Sequence, residues 1–276
     1  MLNNLDEKFF SIGWPWPLLF ISAFMAVFAL VAFWKKHLTF NGALAAFVVG
    51  VVVFYCSHIP GFLLICSFYF SSYALGKICS RRHEDVIEKK GHTRDYMQVF
   101  ANGFMAAIAA LQYENTLNLR YLVVFGAVVA EATSDTWAGE IGRLSSKPPV
   151  SIRTLNIVPK GLSGGVTAMG FAGGFAGSLL IALLWILLFP VKVDFIAVFI
   201  IALCGFSGCV FDSFLGATCQ AMYLDEKNDA LTERDIDDDG EKRKLVRGIK
   251  WMDNDFVNLI SNLFSALLAF TFSIML

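Results

Sequence analysis

Glu131, Asp135 and Glu140 stand in the stretch Ala127 to Gly142, which otherwise reads as membrane-spanning. Ionised groups at such depth cost roughly 2.5–3.5 kcal/mol each on insertion scales. A cost of that size points to acids kept for a cation or a substrate. Glu131 and Asp135 are i, i+4 neighbours on one helical face, so their side chains can meet. Two bare carboxylates so close repel unless one is protonated or a cation lies between them. Magnesium takes one or two carboxylates and completes its shell with waters and phosphate oxygens, which suits this spacing. Ala138 and Gly139 leave room for a ligand or a neighbouring helix, and Glu140 also has a simpler reading as a headgroup-level carboxylate.

Other segments could complete such a site. Asp212-Ser213-Phe214 echoes Asp135-Thr136-Trp137, each with a Gly following, and offers Asp212 as a second acidic centre. Both segments end helices expected to run in the same direction, as in a parallel internal repeat. Pro159 to Thr167 contains Lys160, Gly161, Ser163, Gly164 and Gly165 just before an apolar run. Glycine amides approach an anion closely, a helix N-terminus adds positive potential, and the lysine adds a point charge. The segment follows the logic of a phosphate loop without a Walker pattern. Asp95, Gln98 and Asn102, at i, i+3 and i+7 after Arg94, share a helical face expected to point into the bundle. Asp253, Asn254 and Asp255 open the last apolar run, where helix-start acids are favourable by themselves; that does not explain the deeper Asn258 and Asn262. Asp235 to Val246 begins like a calcium loop but lacks the acid at its twelfth position, and reads as a solvated, mobile charged loop.

The elements that must position these residues are membrane helices. The 276-residue chain is 57% hydrophobic and 16% charged, where a soluble domain averages about a quarter charged. Spanning runs fall at 17–34, 38–57, 60–78, 97–113, 119–138, 165–189, 194–218 and 256–275. This predicts an all-α polytopic helix bundle of about eight transmembrane helices, one domain over 1–276, with polar loops at 79–96, 139–164 and 219–255. Of the 22 Lys and Arg, only Lys8, Arg120 and Lys192 fall on the side opposite these loops. The positive-inside rule therefore puts the three loops in the cytoplasm and both termini outside. Every constellation above lies at that cytoplasmic face. The six cysteines sit singly in apolar stretches and read as buried hydrophobes. A net charge of -1 says little about partners, because the position of charge matters more here, and no nucleic acid is expected among them.

In order and spacing, Arg94-Asp-Tyr-Met-Gln-Val-Phe-Ala-Asn-Gly103, Ser134-Asp-Thr-Trp-Ala-Gly-Glu-Ile-Gly142, Val158-Pro-Lys-Gly-Leu-Ser-Gly-Gly-Val-Thr167, Phe211-Asp-Ser-Phe-Leu-Gly-Ala-Thr-Cys-Gln220 and Asp253-Asn-Asp-Phe-Val-Asn258 resemble one family. It is the integral membrane family of domain of unknown function 92, which includes transmembrane protein 19 and the plant phytyl-phosphate kinase. The resemblance covers about residues 38–275. The family has Gly-Asp-Thr where this chain has Ser134-Asp135-Thr136. Membership implies a kinase that transfers a phosphoryl group from CTP or another nucleoside triphosphate to a prenyl monophosphate dissolved in the bilayer. On that reading Asp135 and Asp212 hold Mg2+, and Glu131 and Glu140 orient metal waters or Lys160. Lys160 and the amides of Gly161, Gly164 and Gly165 cradle phosphates, with Ser163 and Ser213 beside them. Arg94 binds the acceptor phosphate, and Asp95, Gln98, Asn102, Asp253, Asn254 and Asn258 complete a polar shell. Two alternatives stay open: a CTP-dependent cytidylyltransferase on a lipid phosphate, and a lipid-phosphate transporter or flippase. Prenyl length, nucleotide and oligomeric state are not legible in the residues.

Overall fold

The computed structural model describes residues 2–80, 93–189, 195–226, 230–237 and 239–276. The helices are α1 (Leu2–Phe10), α2 (Trp16–Trp34), α3 (Phe40–Ser80), α4 (Tyr96–Thr116), α5 (Leu119–Arg143), α6 (Ala168–Leu188), α7 (Phe195–Thr218) and α8 (Asn254–Phe272). Five of these, α2, α3, α6, α7 and α8, are long and apolar enough to cross a membrane. The chain is an all-α polytopic membrane protein. Helices α4 and α5 carry more polar side chains, yet their 21 and 25 residues are also spanning length.

The expected spans 38–57 and 60–78 are the two arms of α3. His58, with φ 61° and ψ −166°, breaks the helical backbone between them. His37, just before the first arm, stacks edge-on against Tyr73 in the second with ring centroids 5.4 Å apart. A straight helix would hold those positions some 50 Å apart, so α3 folds back on itself. Pro60 sits in the first turn of the second arm, where its missing N–H costs nothing. Asp6 of α1, a helix outside the expected spans, closes this turn. Its carboxylate accepts from the Ile59 amide at 3.0 Å and lies 2.7 Å from His58 Nδ1.

Helix α5 is the axis of the bundle, and every residue from Leu122 to Ser134 is buried. It packs against α3, α4, α6, α7 and α8. Small residues make the closest approach possible. A Cβ at Gly173 of α6 would lie 2.7 Å from Ile141 Cδ1, and one at Gly174 would lie 3.1 Å from Ser134 Oγ. Outward faces stay apolar, as at Phe20, Val27 and Leu30 of α2, which suits a hydrocarbon surrounding.

The segment expected as a solvated charged loop at 235–246 is largely exposed in its described residues, and its last three residues belong to a strand. Strands β3 (Met222–Asp225), β4 (Ala230–Thr232) and β5 (Lys244–Arg247) form an antiparallel sheet in the order β4-β3-β5. The Asp237 carboxylate accepts from the amides of Asp239 and Glu241 at 3.0 and 2.8 Å, closing a turn beneath the Ile236–Lys242 bridge. A smaller pair, β1 (Val150–Ser151) and β2 (Gly165–Val166), folds the loop after α5.

Candidate active site

Helices α5, α7 and α8 meet at Glu131. Gly208 of α7 makes this possible, because a Cβ there would lie 2.5 Å from Glu131 Cγ and 3.0 Å from Ser265 Cβ. Glu131 is 2% exposed, so both carboxyl oxygens need partners. Ser261 donates to Oε1 at 2.8 Å and Asn262 donates to Oε2 at 2.7 Å. Asn262 also donates to Val128 O at 3.0 Å. The Ser261 hydroxyl lies 3.1 Å from Asp212 Oδ2, so it bridges the two acids. With its amide turned to donate, Asn258 reaches Asp212 Oδ2 at 3.0 Å and Asn254 O at 3.2 Å.

Above this network opens a cavity of about 280 Å³. Asp135, Glu140, Lys160, Gly161, Ser163, Gly164, Gly165, Asp212, Ser213 and Asn254 all line it. Five elements converge there: the C-terminal ends of α5 and α7, the loop before α6, and the starts of α6 and α8. Thr167 caps α6 by accepting from the Gly170 amide at 2.9 Å, and Asp253 caps α8 by accepting from the Phe256 amide at 3.0 Å. Gly139 faces the cavity, and a Cβ there would meet nothing within 4 Å, while Ala138 packs on Gly170 and Gly174. Helix α5 runs to Arg143, five residues beyond the expected end, which carries Glu140 and Arg143 on regular helix at the cavity wall. Arg143 lies 3.4 Å from Glu140 Oε1, and the other oxygen, Oε2, is buried without a hydrogen-bond partner among the described residues. Lys160 donates to Ser145 O at 3.0 Å, which fixes its ammonium at the rim.

The glycine loop needs a correction. Gly165 N–H donates to Leu162 O at 2.9 Å, so that amide is already engaged in a turn and does not offer itself to a phosphate. Gly164, at φ +80°, is a packing position: a Cβ would lie 2.4 Å from Ala217 N. Arg247 of β5 locks this contact by donating to Ser163 O at 3.3 Å and Gly216 O at 3.0 Å. Burial pulls the Arg247 guanidinium below its ordinary value, Arg153 adds to this, and Glu233 opposes it. Ser163 donates a short hydrogen bond to Glu233.

Other expected residues lie elsewhere. Glu131 is beneath the cavity and does not line it. Asp95 and Gln98 spend side-chain oxygens on a reciprocal cap of α4, at 3.0 and 3.2 Å, and Asn102 donates to Gln98 O at 3.0 Å. Arg94, Gln98 and Asn102 line a separate apolar cavity, not the acidic one. Burial pulls the Arg94 guanidinium below its ordinary value, with Tyr69 opposing. Asp253 lines a third cavity that also takes in Gln98, Gln220 and Asn254. Sequence reasoning passed over Ser261, Glu233 and Arg247, and assigned Asn262 no role. Ser261 and Asn262 follow Asn258 by three and four residues, so the helical face was readable; Glu233, just after β4, and Arg247, in β5, touch the glycine loop through a sheet that left no such signal.

Among the described residues, no group of three or more His, Cys, Asp or Glu side chains is arranged to hold a metal ion by itself. Asp135 and Asp212 both line the acidic cavity, and one or two protein carboxylates are the share that a magnesium ion completed by phosphate oxygens and waters takes from a protein. The fold and site thus define a multi-pass membrane protein with an acidic, glycine-bordered cavity at one end of its bundle. The chain matches the family described as "Integral membrane protein DUF92" over residues 23–266 and belongs to it. It is 27% identical to Protein PGR of Arabidopsis thaliana, covering 91% of this chain and 94% of that one. It is 31% identical to an "Uncharacterized membrane protein" of Methanocaldococcus jannaschii, covering 72% and 82%. Identity to the chloroplastic Protein VTE6 of Arabidopsis thaliana is 25%, covering 81% and 62%. No solved structure matches.

Proposed function

We propose that this protein is a membrane-embedded prenyl-phosphate kinase that uses CTP or another nucleoside triphosphate, with its site at the cytoplasmic face. One observation carries the reading: three carboxylates, Asp135, Glu140 and Asp212, share a single cavity with Lys160, Arg143 and a glycine-bordered loop at the ends of membrane helices. An oxygen of the prenyl monophosphate would attack the γ-phosphorus, the bond to the β-phosphate oxygen would break, and the products would be prenyl diphosphate and CDP. The nucleophile is already an anion, so no general base is needed, and positioning with charge neutralisation supplies most of the rate. Asp135 and Asp212 would hold magnesium, which when bound offsets charge on the transferred phosphoryl group. Ser261 and Asn258 hold the Asp212 carboxylate in its orientation. Lys160 and the Gly161 amide supply positive potential at the rim. The family resemblance supports the same reaction.

Purified protein in lipid nanodiscs with radiolabelled CTP and a panel of prenyl monophosphates tests this. The expected products are CDP and prenyl diphosphate. Release of diphosphate with a CDP-lipid would make the protein a cytidylyltransferase, and lipid-phosphate movement without nucleotide turnover would make it a flippase.

A further inference from the structure

Beside the acidic cavity lies a slot of about 150 Å³ between α2, both arms of α3, α4 and α5. Most of its wall is apolar, from Met25 and Phe28 on α2 to Val53 and Phe62 on the two arms of α3. Ala46 to Val53 accounts for about 10 Å of helix along it. Its other end carries Arg94, Gln98 and Asn102. Arg94 forms no ion pair among the described residues. A desolvated guanidinium in an apolar wall favours an anion that can bond it bidentately.

The slot and the acidic cavity share no lining residue but lie next to each other in two ways. On α5, Val129 and Ala132 face the slot while Asp135 and Thr136 face the acidic cavity. Ala132 and Asp135 are separated by about 4.5 Å of helical rise, near the size of one phosphate group. Around the other side, Gln98 borders both the slot and the third cavity, of about 420 Å³, and Asn254 borders both that cavity and the acidic one.

We propose that this slot is the lipid subsite: it takes the hydrocarbon tail of a prenyl monophosphate, with Arg94 holding the phosphate head. The assignment rests on the kinase reading for its choice of lipid. A tail moving from bilayer into an apolar slot gains little from the transfer itself, because both surroundings are apolar. Discrimination therefore comes mainly from Arg94 at the head. The phosphate should bind and the corresponding alcohol should not.

The test is photolabelling of the full-length protein in nanodiscs with a prenyl monophosphate bearing a diazirine at the tail end, mapped by mass spectrometry. Labels are expected on slot residues such as Phe28, Val53 and Phe62, competed by unlabelled prenyl monophosphate but not by the prenyl alcohol. Arg94→Gln should weaken labelling at least ten-fold. Should Arg94→Gln fail to fold, Ala46→Trp, which keeps Arg94 and fills the slot, should give the same loss. Equal competition by phosphatidate would hand the slot to ordinary lipids and overturn the assignment. Labels confined to outward residues such as Phe20 and Leu30, or unchanged by both substitutions, would overturn it as well. CDP formation measured on the same samples separates the two readings. Slot labelling without turnover keeps the subsite and removes the kinase; turnover with outward labels only does the reverse.

Discussion

The pair Glu131–Asn262 gives a prediction in which stability and function part company. Asn262 donates to Glu131 Oε2 at 2.7 Å and to Val128 O at 3.0 Å, and both side chains are almost fully buried. Asn262→Leu keeps the branched shape of the side chain and removes both bonds. A bond to a charged group contributes about 1.5–3 kcal/mol in soluble proteins, while hydrogen bonds measured between membrane helices average about 0.6 kcal/mol. The two scales bracket the loss at about 1–4 kcal/mol. Glu131→Met, unbranched so that it passes Gly208, should cost a similar amount, because it leaves the Asn262 amide and the Ser261 hydroxyl without their carboxylate. The double variant removes both partners of the buried bond and should cost at least 1 kcal/mol less than the sum of the singles. Phosphoryl transfer should stay low in Glu131→Met and in the double variant, because Ser261 then loses its position between Glu131 and Asp212. Unfolding in nanodiscs, read by tryptophan fluorescence, gives the stability cycle, and CDP formation gives the activity. Strictly additive stability losses would refute the buried-pair reasoning. Recovery of activity in the double variant would show Glu131 to be packing alone.

The remaining predictions concern the loop, the rim and the orientation. Gly164→Ala should lower stability and nucleotide affinity together, since a Cβ would meet Ala217 N at 2.4 Å; loss of affinity with unchanged unfolding would instead make Gly164 a pure phosphate contact. Lys160→Arg should keep folding but weaken nucleotide binding at least ten-fold by equilibrium dialysis, because a bulky planar guanidinium fits poorly where an ammonium meets Ser145 O; wild-type affinity would make Lys160 only a membrane-surface anchor. A cysteine at Asp239 should react with impermeant maleimide only from the cytoplasm and one at Asn118 only from outside, and reaction of both from one side would remove the orientation.

The helical bundle was legible because hydrocarbon demands long apolar runs and internally bonded backbone. The turn of α3 was readable near Pro60, although the break itself is at His58 and is closed by Asp6 from a helix too short to register as a span. The central acids were legible because charge in an apolar run is costly, and Asp135, Asp212, Lys160 and the glycine loop do share one cavity. Their detailed partners were not. Asp95 and Gln98 carry the spacing of a reciprocal helix cap, and the structure uses them that way. Glycines that look like a phosphate cradle also serve close packing, and nothing in Gly164 itself distinguishes the two before Ala217 is placed beside it. Ser261 and Arg247 matter only through residues about 50 to 130 and 30 to 85 positions away, so their roles arise from tertiary contact rather than local pattern.

The most direct measurement is CDP formation from CTP and a prenyl monophosphate by the wild type, Asp135→Asn and Asp212→Asn, with unfolding followed on the same nanodisc samples. The expected result is turnover by the wild type and at least a hundred-fold loss, about 2.7 kcal/mol of barrier, in each variant with its fold intact. Undiminished transfer in either variant, or activity that falls only in step with loss of folded protein, would contradict a phosphotransfer centre at these two carboxylates.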